Sequence, residues 1–159
     1  MTGLDRARLL AALVPAGLLA GAHGSQYLGG LVPCEMCYWQ RWPHFAALGL
    51  ALISYPLAGR LPDRGRSLVW LAALAMLGSG AIGVYHAGVE LGVFEGLTQC
   101  STSGGGGTLA DIMSAPLVRC DEVQWSLLGI SMAGWNAILS IGFATAILWL
   151  SLRRPRIRT

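Results

Sequence analysis

Charged side chains are scarce in this sequence, and lysine is absent altogether. Charged residues make up 12% of the 159 residues and hydrophobic residues 54%, whereas about a quarter of a typical soluble domain is charged. This composition excludes an ordinary soluble globular domain and favours a protein embedded in a membrane. The net charge of +3 does not indicate nucleic-acid binding, because the arginines that produce it flank apolar segments and fix their orientation in a membrane.

Long apolar segments are what the sequence has instead. They cover about residues 9–32, 43–58, 67–89 and 125–152. A membrane-spanning helix needs about 20 predominantly apolar residues, so three of the segments are long enough and the second is short. The segments lack the alternation of polar and apolar residues that a transmembrane β-strand requires. We therefore predict an all-α integral membrane four-helix bundle that forms a single domain over residues 1–159.

The arginines predict how this bundle lies in the membrane. Nine of the eleven lie before the first segment, between the second and third, or after the fourth: Arg6, Arg8, Arg60, Arg64, Arg66, Arg153, Arg154, Arg156 and Arg158. Basic residues are retained on the cytoplasmic side, so both termini are expected in the cytoplasm. Loops 33–42 and 90–124 then face outward. A signal peptide cleaved near Ala20-Gly21-Ala22 is an alternative, but it would leave the orientation of the other segments unchanged.

All four cysteines fall in these two outer loops. Cys34 and Cys37 form a Cys-x-x-Cys motif just before the second apolar segment. A disulfide across so short a loop constrains the chain very little, and such pairs commonly contain a reactive thiol, so a redox role is favoured over a structural one. Zinc binding is the alternative, but Cys100 and Cys120 would have to complete the site, and they do not form the second Cys-x-x-Cys of a zinc ribbon. We predict no metal site.

The longer outer loop, 90–124, holds the second cysteine pair, Cys100 and Cys120. Between them, four consecutive glycines at 104–107 are typical of a flexible hinge. Apolar residues then follow at 109, 112, 113 and 117, a helical spacing that predicts a short helix in the membrane interface. This pattern favours a mobile arm closed by a disulfide, with a static loop disulfide as the alternative.

Arg41 is the first candidate for binding a ligand. It lies four residues after Cys37, a spacing that brings the guanidinium and the thiol to one face if the segment is helical. A cation in that place favours the thiolate. The alternative role is that of an interfacial anchor flanked by tryptophans, and the two roles are compatible. Pro43 disfavours helical structure at Trp42 or kinks the helix there.

Three histidines are further candidates. His86 lies four residues before Glu90 near the outer end of the third segment, and His44 begins the second segment. Ionisable residues inside a membrane span are functional candidates by default. We expect His86 or His44 to hydrogen-bond a ligand carbonyl, and the sequence does not separate them from His23 in the first segment.

These residues together carry a resemblance. Pro33-Cys34-Glu35-Met36-Cys37 followed by Gln40-Arg41, a later cysteine pair and four spans resemble the disulfide bond formation protein B (DsbB) family over essentially the whole chain. The resemblance implies a bacterial inner-membrane enzyme that reoxidises DsbA, a periplasmic dithiol carrier, and passes the electrons to ubiquinone or menaquinone. The outward side, with loops 33–42 and 90–124, is then the periplasm. The four-glycine run and the short span between the loop cysteines depart from the family's pattern.

The resemblance also implies a role for each cysteine. Cys100 would form the mixed disulfide with the carrier, and Cys120 would then exchange with Cys34. Cys37 would pass electrons to quinone beside Arg41. The expected partners are therefore a DsbA-like protein, a membrane quinone and the lipid bilayer, with no nucleic acid.

Other classes of protein remain open on the sequence. A vitamin K epoxide reductase-like enzyme is one, although in that family the Cys-x-x-Cys follows the loop cysteines, whereas here it precedes them. A DsbB paralogue that serves one dedicated carrier is another. The third is a non-enzymatic four-span scaffold with static disulfides, which would account for the four spans but not for a Cys-x-x-Cys at the lipid boundary.

Overall fold

The computed structural model describes residues 1–96, 101–102 and 117–153, and this part of the chain is dominated by four long helices. The helices are α1 (Gly3–Tyr27), α2 (Glu35–Leu57), α3 (Arg66–Glu90) and α4 (Met132–Leu152). Two-residue strands form two antiparallel pairs, β1 (Ser101–Thr102) with β2 (Leu117–Val118) and β3 (Ser126–Leu127) with β4 (Ile130–Ser131). The predicted all-helical fold with four helices is confirmed. The predicted interfacial helix, the glycine run and Cys100 lie outside the described residues.

Local sequence signals set the starts of α1 and α3. Thr2 and Asp5 form a capping box, in which the backbone N–H of Thr2 donates to the Asp5 carboxylate at 2.7 Å and that of Asp5 donates to the Thr2 hydroxyl at 3.2 Å. Before α3, the Asp63 carboxylate accepts from the backbone N–H groups of Gly65 at 3.0 Å and Ser67 at 2.6 Å. These bonds satisfy donors that a helix start otherwise leaves unpaired.

Helix α2 begins at Glu35, well before residue 43, where the second apolar segment begins. Cys34 is its N-cap, and the Cys34 sulfur accepts a hydrogen bond from the backbone N–H of Cys37 at 3.3 Å. The helix continues through Trp42 and Pro43, so the expectation that Pro43 disfavours helical structure at Trp42 is wrong. A proline inside a helix removes one backbone hydrogen bond, a loss that helices in membranes tolerate. The Cys-x-x-Cys motif therefore occupies the first turn of a helix.

Helix α1 begins at Gly3, six residues before the first apolar segment, and residues in the left-handed region of φ lie at two further differences from the apolar pattern. Helix α1 ends at Tyr27, short of residue 32, and Gly30 follows with φ +69°. Helix α4 begins at Met132 rather than near residue 125. Leu128 and Gly129, with φ +55° and +77°, form the tight turn of the β3–β4 hairpin that precedes it.

Small residues let the helices approach closely. The main buried cluster consists of Leu4, Ala7, Ala11, Ala12, Ala47, Ala51, Val69, Ala72, Ala73, Met76, Ala144 and Ile147. A Cβ atom at Gly83 of α3 would lie 3.0 Å from the Ala133 carbonyl oxygen and 3.1 Å from the Ala137 nitrogen, both in α4. Such close contacts at small residues are typical of helix packing in membranes.

Three of the four helices are long and apolar enough to cross a membrane, namely α1, α3 and α4. Helix α2, expected to be short as a span, is not in that group among the described residues. At one end of the bundle the Arg8 guanidinium donates to the Arg64 carbonyl oxygen, and a Cβ atom at Gly3 would meet the Leu150 carbonyl oxygen. The N-terminus, the α2–α3 connection and the end of α4 therefore share one end, as expected. Their cytoplasmic location stays a prediction.

Candidate active site

The Cys34–Cys37 dithiol lies at the opposite end of the bundle, in the first turn of α2. The two sulfur atoms are 2.9 Å apart and are not bonded to each other. Cys34 is 2% exposed and Cys37 is partly exposed. Because the N-terminus of a helix carries partial positive charge, this position stabilises a thiolate.

His86 of α3 brings a ring nitrogen to this dithiol. Its Nε2 lies 3.6 Å from the Cys34 sulfur and 3.9 Å from a carboxylate oxygen of Glu90. Its Nδ1 lies 2.8 Å from the Gln40 side-chain nitrogen. That nitrogen also donates to the Met36 carbonyl oxygen at 3.2 Å, which identifies it as the NH₂ group of the amide. His86 Nδ1 therefore accepts, and the proton of the neutral ring is on Nε2, on the side of the Cys34 sulfur and of the Cys120 backbone, with which the ring also hydrogen-bonds.

The same geometry bears on the zinc alternative. Cys34, Cys37 and His86 place potential ligand atoms within 4.8 Å of one another. A zinc ion would need the lone pair of His86 Nε2, yet the Gln40 donor keeps the proton on that nitrogen. A metal-binding histidine instead donates its other N–H to an oxygen. The donor set therefore fits a hydrogen-bonded dithiol better than a metal site.

Cys120 lies close to the dithiol in a small buried cluster. The cluster consists of Cys34, Met36, Val89, Val118 and Cys120. Cys120 is 8% exposed. The structure thus brings three of the four predicted catalytic cysteines to one end of the bundle, while Cys100 lies outside the described residues.

Arg41 connects α2 to α1. Its guanidinium donates to the Gln26 side-chain oxygen at 2.6 Å and to the Ala22 carbonyl oxygen at 3.2 Å, and it lies 5.1 Å from the centre of the Tyr38 ring. Arg41 is 8% exposed. Among the described residues its hydrogen bonds are with α1 and not with Cys37, so its effect on that thiol acts through space.

Arg119 is the other arginine of the outer loops. It is exposed and forms ion pairs with Asp121 and Glu122. The Arg119 guanidinium holds the pKa of Asp121 below its usual value, mainly by donating hydrogen bonds to that carboxylate. Arg119 therefore lies at the exposed edge of the site, where it forms ion pairs within the same loop.

A cavity of about 650 Å³ opens beside the dithiol, a size usual for sites that bind small molecules. Its lining is mostly apolar and comes from all four helices and from residues 29–33 and 119–125. The polar residues of α2 and α3 in its wall are Cys37, Gln40, Arg41, His44, His86 and Glu90, together with Cys34 at the α2 N-cap. The predicted binding residues Arg41, His86 and His44 therefore face one space.

His44 lies one turn further along α2 than Arg41 and belongs to a buried polar network. Its Nε2 is 2.8 Å from the Asn136 side-chain oxygen, 2.9 Å from the Ser79 hydroxyl and 3.3 Å from the Ser140 hydroxyl. Asn136 in turn donates to Gln40 at 2.7 Å. A chain of hydrogen bonds thus runs from His86 to His44 across three helices.

His23, in contrast, is not part of the cavity wall. Its Nδ1 lies 2.8 Å from the Leu19 carbonyl oxygen, and its ring packs against Tyr27 and Phe45. The tertiary structure thereby separates the three histidines, which the sequence could not.

Comparison with known proteins identifies the family. The family model described as disulfide bond formation protein DsbB matches residues 5–150, nearly the whole chain. The chain belongs to the DsbB family. Since three of its helices are able to cross a membrane, the chain is a multi-pass membrane protein. The DsbB family is one of disulfide oxidoreductases.

Curated relatives agree with this assignment. Disulfide bond formation protein B of Hahella chejuensis is 27% identical over 155 residues, covering 91% of this chain and 91% of the relative. Disulfide bond formation protein B 2 of Pseudomonas aeruginosa is 32% identical over 126 residues, covering 73% and 72%. Disulfide bond formation protein B of Xanthomonas campestris is 30% identical over 159 residues, covering 93% and 91%. No solved structure matches the chain.

Sequence reasoning missed two residues of this DsbB-family site. Gln40 was part of the motif but received no role, because its partner His86 is remote in sequence. Asn136 was overlooked although it is a polar residue inside an apolar span, a signal that marks functional or packing sites in membranes. Both residues are amides that orient the site's histidines.

Proposed function

We propose that this DsbB-family protein is a thiol:quinone oxidoreductase of the bacterial inner membrane that reoxidises a DsbA-like periplasmic dithiol carrier. The observation that carries the proposal is the Cys34–Cys37 dithiol in the wall of a large, mostly apolar cavity within the bundle. A lipid-soluble electron acceptor needs such a space, and a static scaffold would have no use for it.

The residues of the cavity fit a quinone, either ubiquinone or menaquinone. The apolar wall suits the ring and the start of an isoprenoid tail. Arg41 has five N–H donors, and its two bonds to α1 leave others available to a ligand oxygen. Arg41 would therefore hold one ring oxygen near Cys37. A quinone bound there would accept the two electrons and two protons released when Cys34 and Cys37 form their disulfide.

The order of thiol exchange is the one that the resemblance to the DsbB family implies. A thiolate of the reduced carrier would attack Cys100 in the Cys100–Cys120 disulfide, and the second carrier thiol would release the carrier in its oxidised form. The freed Cys120 thiolate would attack Cys34, displacing Cys37 as the thiolate. The packing of Cys120 with Cys34 in one buried cluster supports this exchange. Attack by Cys100 on Cys120 would then re-form the loop disulfide and leave both Cys34 and Cys37 reduced.

The hydrogen bonds at Cys34 support its place in that order. Its sulfur accepts from the Cys37 backbone N–H and faces the Nε2 proton of His86. These donors stabilise negative charge on Cys34, which makes it a good leaving group when Cys100 attacks Cys120 in the Cys34–Cys120 mixed disulfide. In the reduced pair Cys34 donates to the Cys37 sulfur at 2.9 Å, so Cys37 carries the thiolate and Cys34 loses its proton as it attacks to form the Cys34–Cys37 disulfide.

Reconstitution in lipid nanodiscs tests this function. The purified protein is mixed with a reduced DsbA-like carrier and a short-tail ubiquinone, and the loss of quinone absorbance is followed together with carrier oxidation. We expect one quinone reduced per carrier oxidised, and no turnover with Cys37→Ser. Met36→Leu is the matched control, since it removes a sulfur atom from the same helical turn and should retain turnover.

Two results would count against the proposal. One is normal quinone reduction in Cys37→Ser, which would remove the dithiol from the reaction. The other is thiol alkylation in native membranes that finds all four cysteines oxidised both before and after addition of reduced carrier, as a scaffold with static disulfides requires. Extraction of bound quinone and its chromatographic identification distinguishes ubiquinone from menaquinone.

A further inference from the structure

Two buried polar atoms in residues that line the cavity have no hydrogen-bond partner among the described residues. They are Oε2 of Glu90 and Nδ1 of His44. His44 is 3% exposed, and its other ring nitrogen is held by the Asn136 network. A buried polar atom without a partner costs free energy, and Nδ1 of His44 belongs to a residue that lines the cavity. A donor group on a ligand in the cavity could supply the missing partner.

The hydrogen bonds around His44 fix which ring nitrogen carries the proton. Ser79 donates its hydroxyl proton to the Gln40 carbonyl oxygen at 2.8 Å, and Ser140 donates its own to the Asn136 side-chain oxygen at 3.0 Å. The Asn136 side-chain nitrogen lies 3.2 Å from the Ser79 carbonyl oxygen, so the atom that faces His44 is the amide oxygen. His44 must therefore donate from Nε2, which leaves Nδ1 as a bare acceptor.

We infer that His44 Nδ1 accepts a hydrogen bond from a hydroxyl group of the reduced ligand, so that the cavity binds the quinol form in preference to the quinone. This inference rests on the proposed function. A quinone oxygen only accepts hydrogen bonds and would leave Nδ1 unpaired, whereas a quinol hydroxyl donates. Arg41 does not create this preference, because its N–H groups can donate equally to a carbonyl or to a hydroxyl oxygen.

The position of His44 suits that role. It lies three residues after Arg41 on α2, about 4.5 Å further along the helix axis, so the two residues could contact oxygens on opposite sides of one six-membered ring. Cys37 precedes Arg41 by one helical turn. The three side chains form a stripe along one face of α2 that runs from the dithiol into the bundle.

Preferential binding of the reduced form would favour the direction of electron flow. One hydrogen bond in a buried site changes affinity by about threefold to tenfold. For a two-electron couple, a tenfold preference for the reduced form raises the midpoint potential of the bound ligand by about 30 mV. Electrons would then leave the dithiol more readily than they would for the same quinone free in lipid.

The test measures binding rather than turnover. The full chain with all four cysteines replaced by serine cannot react, so short-tail ubiquinone and ubiquinol can be titrated separately in nanodiscs under argon. Trp135 lines the cavity, and quenching of tryptophan fluorescence gives both dissociation constants. The quantity of interest is the ratio of the quinone Kd to the quinol Kd.

His44→Gln is the informative variant. A glutamine places an amide nitrogen near the position of Nε2, so it can still donate to Asn136, but it has no acceptor at the position of Nδ1. We expect the Kd ratio to fall about threefold to tenfold, through weaker quinol binding. Ser140→Ala is the matched control, because it perturbs the same network and leaves Nδ1 intact; its ratio should stay within about twofold of the parent value.

A second measurement needs no substitution at this residue. Nitrogen NMR of the histidine-labelled protein should show one buried histidine protonated on Nε2, whose Nδ1 resonance shifts with quinol and not with quinone. An unchanged Kd ratio in His44→Gln, or an Nδ1 resonance that ignores quinol, would overturn the inference and leave the proposed function standing. Failure of both ligands to bind the parent chain would instead overturn the proposed function itself.

Discussion

Removal of the His86 ring should make Cys34 less reactive. In the folded protein the Nε2 proton of His86 faces the Cys34 sulfur at 3.6 Å, and the Cys37 backbone N–H donates to the same sulfur at 3.3 Å. His86→Leu removes the first donor and keeps the second. The thiolate of Cys34 loses one hydrogen bond, whereas the thiol, which needs none, is almost unaffected.

The size of the effect follows from the geometry. A hydrogen bond to a charged group contributes about 1.5–3 kcal/mol. The contact here is long, even for sulfur, the ring also hydrogen-bonds with the Cys120 backbone, and a second donor to Cys34 remains, so we expect only about 1–1.5 kcal/mol. That corresponds to a thiolate fraction about five- to tenfold lower at neutral pH, since about 1.4 kcal/mol is one factor of ten.

The assay isolates Cys34 in a chain whose other three cysteines are serine. The rate of reaction with methyl methanethiosulfonate at pH 7 is divided by the plateau rate at high pH, so that differences in reagent access to this buried sulfur cancel. His86→Gln retains an N–H donor and should recover most of the parent value. His23→Leu, which removes a histidine outside the cavity, is the matched control.

The loss of one donor predicts at least about a fivefold fall in the normalised rate. A rate for His86→Leu within about twofold of the parent would therefore refute the role of His86 as a donor to Cys34. It would mean that the helix N-terminus alone holds the charge on Cys34. An equal fall in His23→Leu would likewise assign the effect to general loosening of the bundle.

Other parts of the bundle give further predictions. Gly83→Ala should lower the free energy of unfolding in detergent by about 1–3 kcal/mol, because its Cβ would meet the backbone of α4 at 3.0 Å; Gly78→Ala, with nothing within 4 Å, should be tolerated. Trp70→Phe removes an indole N–H that donates at 2.7 Å to a buried serine hydroxyl on α4, and should cost about 1 kcal/mol in the same unfolding measurement. The pKa of Asp63 is lowered from 3.8, mainly by the backbone N–H of Ser67, so its contribution is present above pH 3.8 and is lost as pH falls through the lower folded value. Asp63→Asn should therefore show a smaller drop in thermal stability than the parent on acidification below about pH 4, and an equal drop would contradict this role of the carboxylate.

Features that depend on composition and local spacing were predictable from the sequence. Burial of apolar side chains in lipid needs long apolar helices, so the four helices could be counted directly. Their ends were harder, because α2 gains its first turns from residues 35–42, where the polar residues Glu35, Gln40 and Arg41 interrupt the apolar pattern. The hydrogen bond accepted by the Cys34 side chain marks the start of α2, and the positive φ of Gly30 follows the end of α1.

Contacts between residues far apart in sequence were not predictable in the same way. His86 and Gln40 are each ordinary polar residues on separate helices, and nothing in their spacing pairs them. From the sequence, His23, His44 and His86 were also equally good candidates for binding a ligand. Packing of α3 and α4 against α2 left two of these rings in the cavity wall and the third outside it.

The sequence by itself determined the membrane-embedded helical class, the redox motif and the outer-loop location expected for the cysteines, because each depends on residue type and order along the chain. Only the tertiary structure decided which nitrogen of His86 faces Cys34 and which nitrogen of His44 is left without a partner. Those properties come from hydrogen bonds donated by other helices, and the direction of a donor is fixed only when the helices have packed.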